Sequence, residues 1–440
     1  MGGHADARLA LHFISRAVSA SARRATICGV IRHGELVSIG DGEMRGTDRL
    51  HLLLLAEGDP ETPDSWSGTS RRIVEGLRAA GHTVTTADCE LTGLGRLSAL
   101  ALTWHPSRPR WWVRYHLGSV GFRMRSALAQ AVIDAHPKID LIVQVGATFL
   151  PRVAVHKSLV VLTDGNIVLS EAAAGVAATD AAFLSARERT RVRVREQRVY
   201  DVADLVISLS DRVARSCVED FGVPAERVRT MYAGPNIDAG RFGDTLPIPQ
   251  DVPPTILFVG RQWERKGGDV LIRVFARVRA RVPDARLVVI GPRLVSPLPA
   301  GVEFLGLVDK ESPAGWERIR RAYVEASVFC LPSRFEGFAI SVLEAMMFGR
   351  PCVTCRFPWM ESEMVEDGVT GYVIEGSDEL QLEQRLVTLL TDKKSAEGMG
   401  QVAASRVRDR YNWPAAIGRL ERALTDLGIR RAFATASGRD

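Results

Sequence analysis

The stretch Ser333-Arg334-Phe335-Glu336-Gly337-Phe338-Ala339-Ile340-Ser341-Val342-Leu343-Glu344-Ala345 decides how this chain is read. Glu336 falls in a glycine-bearing loop, and Glu344, eight residues on, falls inside an apolar run with helical spacing. Immediately before it, Val324-Glu325-Ala326-Ser327-Val328-Phe329-Cys330-Leu331-Pro332 reads as a helix end followed by a short strand. A strand, a glycine loop and a helix start form an anion pocket, because the first amides of a helix have no partner within it. Carboxylates beside such a pocket repel phosphate but suit hydroxyl groups. A nucleotide-sugar carries both groups.

Working outward, the same half of the chain alternates strands and helices. Thr255-Ile256-Leu257-Phe258-Val259 reads as a strand, followed by Gly260-Arg261-Gln262-Trp263-Glu264-Arg265-Lys266-Gly267-Gly268 and a helix from about Asp269 to Ala280. Further strands are expected at Arg286 to Ile290, Val302 to Leu305, Val328 to Leu331, Pro351 to Thr354 and Tyr372 to Ile374. The 260–268 loop is neither GxGxxG nor a Walker A loop. It offers two or three cations and flexible amides at a strand's C-terminal end, where open α/β sheets bind ligands. Arginine presents a planar fork to phosphate oxygens and lysine a movable point charge. Alone, the loop reads equally as a solvated turn or a diphosphate clamp. Glu336 and Glu344 in the same domain favour the clamp.

The first half repeats the alternation. Leu50 to Ala56 reads as a buried strand, followed by a loop through Pro63 and Trp66. Ser67-Gly68-Thr69-Ser70 can cap a helix with apolar Ile73, Val74, Leu77 and Ala80, which Gly81 ends. Strands return at Thr83 to Ala87, Ile139 to Val145, Leu159 to Leu162 and Leu205 to Ser208. The fold class is therefore α/β, with mostly parallel sheets covered on both faces. Residues 236–254, rich in proline and glycine, read as a linker. Pro414 to Leu427 is a last amphipathic helix with Asn412 as its cap. The expected division is an extension over 1–49, a first domain over 50–245, a second over 252–410, a helix at 411–427 packing back toward the first domain, and a fraying tail at 428–440. Within the extension, Ala7 to Val18 suits a helix, Ala25 to Ile31 a strand, and Gly40-Asp41-Gly42-Glu43 an exposed turn in preference to a metal site.

Length and composition bound the alternatives. A chain of 440 residues, 46% apolar and 25% charged, supports two or three domains with their own cores and excludes global disorder. The net charge of +5 permits attraction to nucleic acid or anionic lipid and demonstrates neither. Of Cys28, Cys89, Cys217, Cys330, Cys352 and Cys355, only the last two are closely spaced, and no second pair or nearby histidines complete a zinc site. Reduced, mostly buried thiols in a cytoplasmic chain are expected. No signal-peptide pattern opens the sequence, and His51-Leu52-Leu53-Leu54-Leu55 is too short to span a bilayer.

Taken together, these motifs resemble the retaining glycosyltransferases of the glycogen-synthase-like, or group 1, superfamily, which have the GT-B architecture of two Rossmann-like domains facing across a donor/acceptor cleft. Glu336 and Glu344 match the family's E-x7-E segment, and Gly260, Arg261, Lys266 and Gly267 its G-R-x4-K-G loop. Met231 to Asp238, Val302-Glu303-Phe304-Leu305-Gly306 and Glu366-Asp367-Gly368-Val369-Thr370-Gly371-Tyr372 resemble further family segments, and Trp66-Ser67-Gly68-Thr69 its first acceptor-domain loop. The match covers about residues 50–427.

The resemblance implies roles. Arg261 and Lys266 would bind the donor diphosphate, with Gly260, Gly337, Phe338, Ala339 and Ile340 around the donor. Glu336 would approach the donor sugar and Glu344 the ribose hydroxyls. The catalytic set is then Glu336, Lys266, Arg261 and Asp164, and the acceptor side Trp66, Ser67, Gly68, Thr69 and Asp164. Donor substrates would be UDP- or GDP-hexoses, with no cofactor and no metal, since Arg261 and Lys266 would neutralise the leaving group. Base selection near Gly291-Pro292-Arg293 and Leu307-Val308 stays open. Where many relatives have histidine before aspartate, this chain has Thr163 before Asp164. That departure motivates the alternative of a non-catalytic sugar- or nucleotide-binding protein. His116 and His156 read as structural or surface residues.

One region is left over. Trp104, Trp111, Trp112, Tyr115 and Phe122 interleave with Arg108, Arg110, Arg114, Arg123 and Arg125. The pattern fits an acceptor groove, a surface facing an anionic membrane, or helix packing, with nucleic acid last. The arginine-rich run from Arg187 to Arg198 reads as a solvated helix face. The expected partners are thus a nucleotide-sugar, a sugar, lipid-linked or small-molecule acceptor, and the inner face of the membrane, without nucleic acid.

Overall fold

Near-continuous apolar runs bounded by glycine, proline and short polar residues produce strands buried on both faces. In the computed structural model, which describes residues 49–63, 65–152, 157–237, 251–292, 297, 299–360 and 362–428, they form two six-stranded sheets. The expectations for residues 1–48, Cys28, His156, Arg293, most of the 236–254 linker and the tail beyond Gly428 lie outside the described residues.

The first sheet comprises β1 (His51–Ala56), β2 (Thr83–Asp88), β3 (Leu141–Val145), β4 (Ser158–Thr163), β5 (Leu205–Ser208) and β6 (Val228–Thr230), in the order β2-β1-β3-β4-β5-β6. The second comprises β7 (Thr255–Val259), β8 (Arg286–Ile290), β9 (Val302–Gly306), β10 (Val328–Leu331), β11 (Cys352–Arg356) and β12 (Gly371–Glu375), in the order β12-β11-β10-β7-β8-β9. Pairing is parallel, with Val259 opposite Ile290 and Phe329 opposite Cys352. Helices carry several of the crossovers that parallel pairing needs, as between β1 and β2, β7 and β8, and β10 and β11.

Contacts divide the chain into two compact units. One holds the described residues of 1–162, 184–206 and 422–440, and the other those of 163–183 and 207–421. The core of the second unit is built on fully buried Phe258, Phe275, Tyr323 and Phe329. Burying each such side chain contributes roughly 1.5–3 kcal/mol.

Strand order in the second sheet decides where a ligand can sit. From β7 the chain builds β8 and β9 on one side, then returns to place β10 on the other. That reversal opens a crevice outside the carboxyl ends of β7 and β10. The loops leaving those two strands are 260–267 and 332–339.

Two local expectations meet the structure differently. Asn412 does cap the last helix, Trp413–Asp426, its Oδ1 accepting from the Ala415 amide at 2.8 Å. The helix Thr69–Ala79, by contrast, has no side-chain cap. Its N-cap is Gly68 at φ 86°, and Thr69 and Ser70 are buried inside the first turn. A left-handed glycine turns the chain into the helix here and leaves no hydroxyl in capping position.

Candidate active site

The loop after β7 is shaped by its glycines and one tryptophan. Trp263, almost buried, packs edge-on against Phe258 and beside Phe304. A Cβ on Gly268 would lie 2.4 Å from the Trp263 ring, and one on Gly260 would lie 2.4 Å from Cδ of Lys266. The lysine stem therefore runs across Gly260. Gly267 caps the helix Gly268–Arg281 at φ 74°, and a Cβ there would lie 2.0 Å from the Pro332 carbonyl oxygen. Gly267→Ala combines left-handed strain with a backbone clash between the two loops, and we expect it to cost about 3 kcal/mol or more. Chemical denaturation measures this directly.

Glu336 lies where these loops meet. Its Oε1 accepts from Lys266 Nζ at 2.8 Å and from Ser333 Oγ at 2.9 Å. Arg265 Nη1 stands 3.2 Å from Oε2. Burial alone would raise the Glu336 pKa, but the charges of Arg265 and Lys266 and the bonds from Lys266 and Ser333 outweigh it and hold it at about 2. Its carboxylate stabilises the fold fully above its ordinary value of 4.5, and this contribution is lost as pH falls toward about 2. We expect Glu336→Gln to flatten the acid limb of the stability curve between those values, read by thermal unfolding across pH.

The two loops are also tied directly. Arg334 forks onto Asp269 with both bonds at 2.7 Å, and its amide donates to the Arg265 carbonyl at 2.8 Å. Trp359 Nε1 donates to the Arg334 carbonyl at 3.1 Å. Such bidentate, charge-assisted bonds fix the geometry of the crevice.

Glu344 is placed otherwise than its partner in the motif. It sits in the helix Ile340–Met347 and is 1% exposed. Its Oε2 accepts from Tyr323 Oη at 2.9 Å and its Oε1 from Lys310 Nζ at 2.6 Å. Tyr323 is itself fixed by stacking on Phe348 at 4.9 Å. The tyrosine is fully buried, whereas the Lys310 side chain is 37% exposed.

A recess is lined by Ser210, Ser333, Glu336, Gly337, Phe338 and Ala339 together with residues of β11 and the 360–364 loop. A second is lined by Asp164, Gly165, Arg212, Phe335, Glu336 and Gly337, among others. A Cβ on Gly337 would lie 1.8 Å from the Asp164 carbonyl oxygen, so only glycine permits that approach. Thr163 Oγ1 donates to the Gly165 carbonyl at 2.6 Å, closing the turn that carries Asp164, and Asn166 caps the helix Ile167–Ala173.

Among the residues named from the sequence, the structure brings together Glu336, Lys266, Gly260, Gly337, Phe338, Ala339 and Asp164. Arg261 is exposed at the start of its loop, and Ile340 begins the helix that carries Glu344. Trp66, Ser67, Gly68 and Thr69 belong to the other compact unit. There Trp66 and Ser67 take left-handed φ values of 47° and 58°, a strain that recurs at functional loops. Sequence reasoning passed over Arg265, Ser333, Lys310 and Tyr323. Arg265 stood inside the quoted motif, but nothing in its spacing separates it from Arg261. The other free thiols follow expectation: Cys89, Cys217, Cys330, Cys352 and Cys355 are unbridged and buried.

Residues 253–392 match the family described as glycosyl transferases group 1. A D-inositol 3-phosphate glycosyltransferase of Corynebacterium diphtheriae is 29% identical over 285 residues, 60% of this chain and 66% of that protein. The one from Thermobispora bispora is 29% identical over 252 residues, 52% of this chain and 58% of that protein. The aligned part of the chain thus spans between half and two thirds of these relatives. Among solved structures, a sucrose-phosphate synthase from Thermosynechococcus elongatus superposes with a TM-score of 0.63 at 21% identity, covering 86% of this chain and 99% of that one. WaaG, a glycosyltransferase involved in lipopolysaccharide biosynthesis, gives 0.59 at 16% identity, with the same coverage. At such identity these structures speak for the fold alone, and the fold is GT-B.

Proposed function

We propose, for a chain that belongs to the glycosyl transferases of group 1, that it moves a hexosyl group from a nucleotide-diphosphate sugar to a hydroxyl acceptor. The observation that carries this is the Lys266–Glu336–Arg265 cluster at the strand-order reversal of the second sheet. A carboxylate there cannot bind phosphate, but it neutralises two cations until a diphosphate arrives. The arriving diphosphate competes for Lys266, with Arg261 and Arg265 within the same loop. Glu336 is then released to accept a sugar hydroxyl.

Retention of anomeric configuration fits this arrangement. With cations on the leaving diphosphate, negative charge that grows as the sugar–phosphate bond breaks is stabilised without reorganisation. The leaving phosphate oxygen can take the acceptor proton on the same face, so the reaction needs alignment more than a protein nucleophile. Charge neutralisation by side chains makes a divalent metal unnecessary in this reading. Asp164, on the turn facing Gly337, is placed to meet a donor or acceptor hydroxyl. The donor would be a UDP- or GDP-hexose. Acceptors that suit the reading are an intermediate of cell-surface glycan, a glycolipid or a secondary metabolite, met on the cytoplasmic side with peripheral contact to an anionic membrane. Nucleic acid has no place in it.

Initial rates of transfer or donor hydrolysis across UDP-, GDP- and ADP-sugars test this. Turnover with at least one donor is expected; no turnover and no donor-dependent thermal protection with any of them would sink it. Tight nucleotide-sugar binding without transfer to native acceptors would instead favour the binding-protein reading, which Thr163 motivates. We further expect Glu344→Ala to raise the donor KM about tenfold or more with a smaller change in kcat, because a ribose contact is made equally in ground and transition states. It would also orphan the buried Tyr323 hydroxyl and cost about 1–3 kcal/mol of stability.

A further inference from the structure

The connection from β2 to β3 is longer than a parallel crossover requires. The helix Ser119–Ala135 already returns the chain to β3, yet the helices Gly93–Leu102 and Arg108–Leu117 precede it. They are held firmly at the carboxyl edge of the first sheet. Tyr115 Oη donates to Glu90 at 2.5 Å, and the fully buried Arg125 stands 2.8 Å from Glu57, each carboxylate lying just past the end of a strand. Trp111 Nε1 donates to the Leu100 carbonyl at 2.8 Å, and Ala99 is buried with Leu91 and Tyr115.

With one face of Gly93–Leu102 so anchored, its other face is apolar as well. Leu94 and Leu97, with Ala101 one turn on, are 71% and 63% exposed at helical spacing. Leu102, Trp104 and Trp112, nearby in the chain, are exposed as well. Five of the twelve large apolar side chains exposed among the described residues thus fall between Leu94 and Trp112. A helix apolar on both faces is normally covered on both.

The charge carried by this segment itself is one-sided. Residues 91–133 contain six arginines and no aspartate or glutamate, in a chain with 52 acidic residues. Arg96, Arg108 and Arg123 are exposed. Arg110 and Arg114 spend their charge on Glu188. A second copy of the chain would fit badly, because an isologous contact brings the exposed Arg96, Arg108 and Arg123 toward the same arginines of the other copy. A bilayer with anionic headgroups complements both features: leucine and tryptophan side chains enter the headgroup boundary while arginines stay at the phosphates.

We propose that Leu94, Leu97, Leu102 and Trp104, with Arg96 and Arg108, form a docking surface for an anionic lipid bilayer. This deepens the reading of peripheral membrane contact given above and rests on it, but not on transfer chemistry.

The test is flotation of the full chain with vesicles of phosphatidylcholine alone and of phosphatidylcholine mixed with phosphatidylglycerol, at low and raised salt. The chain binds the anionic vesicles, weakly or not at all the neutral ones, and less as salt rises. The triple variant Leu94→Ser, Leu97→Ser, Trp104→Ser loses tenfold or more in partitioning, while Arg96→Gln and Arg108→Gln each lose about fivefold at low salt. All are surface changes, so thermal unfolding and donor hydrolysis stay as in the parent and separate failure of docking from failure of the transferase reading. Flotation of the triple variant equal to the parent overturns the proposal, as does a parent that ignores vesicle charge. A parent dimer that the triple variant abolishes would give the face to a second copy, and salt-sensitive binding to generic DNA that survives the triple variant would give the arginines to nucleic acid. Either result, without vesicle binding, also overturns it.

Discussion

Lys266→Ala is expected to lower turnover by roughly 10²-fold or more, with a smaller effect on donor KM. The reason is where charge develops. The diphosphate carries its greatest negative charge as the sugar departs, so a cation aimed at it stabilises the transition state beyond the ground state. Removal of one preorganised electrostatic partner typically costs about 10²–10³ in kcat. Fold damage should be small, because Glu336 keeps Arg265 at 3.2 Å and Ser333 Oγ at 2.9 Å. Steady-state kinetics on protein with a matched unfolding midpoint read the effect. An equal rise in KM with unchanged kcat would reassign Lys266 to ground-state binding.

Glu336→Gln is expected to give a loss of about the same order by a different route. The amide keeps the shape but withdraws a negative charge held against two cations. Lys266 and Arg265 would then bind a diphosphate without competition, so donor KM should fall or hold while kcat drops. That split distinguishes a carboxylate acting on the sugar from one that merely positions the lysine. Because the wild-type carboxyl is held at about 2, no acid limb of the pH–rate profile above about pH 4 should come from it in the free enzyme.

The sequence carried the fold at the level of elements because most strands are nearly unbroken apolar runs, Thr83–Asp88 and Val228–Thr230 being exceptions. Thr255–Val259 and Val328–Leu331 could be read almost to the residue. Their adjacency was not legible: β7 and β10 are separated by β8, β9 and their connecting helices, and only the assembled sheet sets 260–267 beside 332–339. For the same reason Glu336 and Lys266 were recognisable as types, whereas their direct pairing across 70 residues was not. Glu344 shows the limit more sharply. Its two partners, Tyr323 and Lys310, come from the helix Pro313–Glu325 and the loop before it, and no local pattern joins them to it. Gly68 illustrates the opposite error: Ser67, Thr69 and Ser70 have capping chemistry, but the backbone turns left-handed at the glycine, which takes the N-cap position itself. The aromatic and arginine-rich run stayed ambiguous because helical spacing places apolar residues on two faces. Only the buried Ala99 and Tyr115 show which face is already taken.

The central claim is that the 260–267 loop holds a diphosphate and that Glu336 exchanges Lys266 for a sugar. A crystal structure with a bound UDP- or GDP-sugar tests it most directly. Phosphate oxygens within hydrogen-bond distance of Lys266 Nζ, the ribose at Glu344, and Lys266 drawn away from Glu336 are the expected result. Phosphates bound elsewhere, with the 2.8 Å Lys266–Glu336 pair intact, would contradict it.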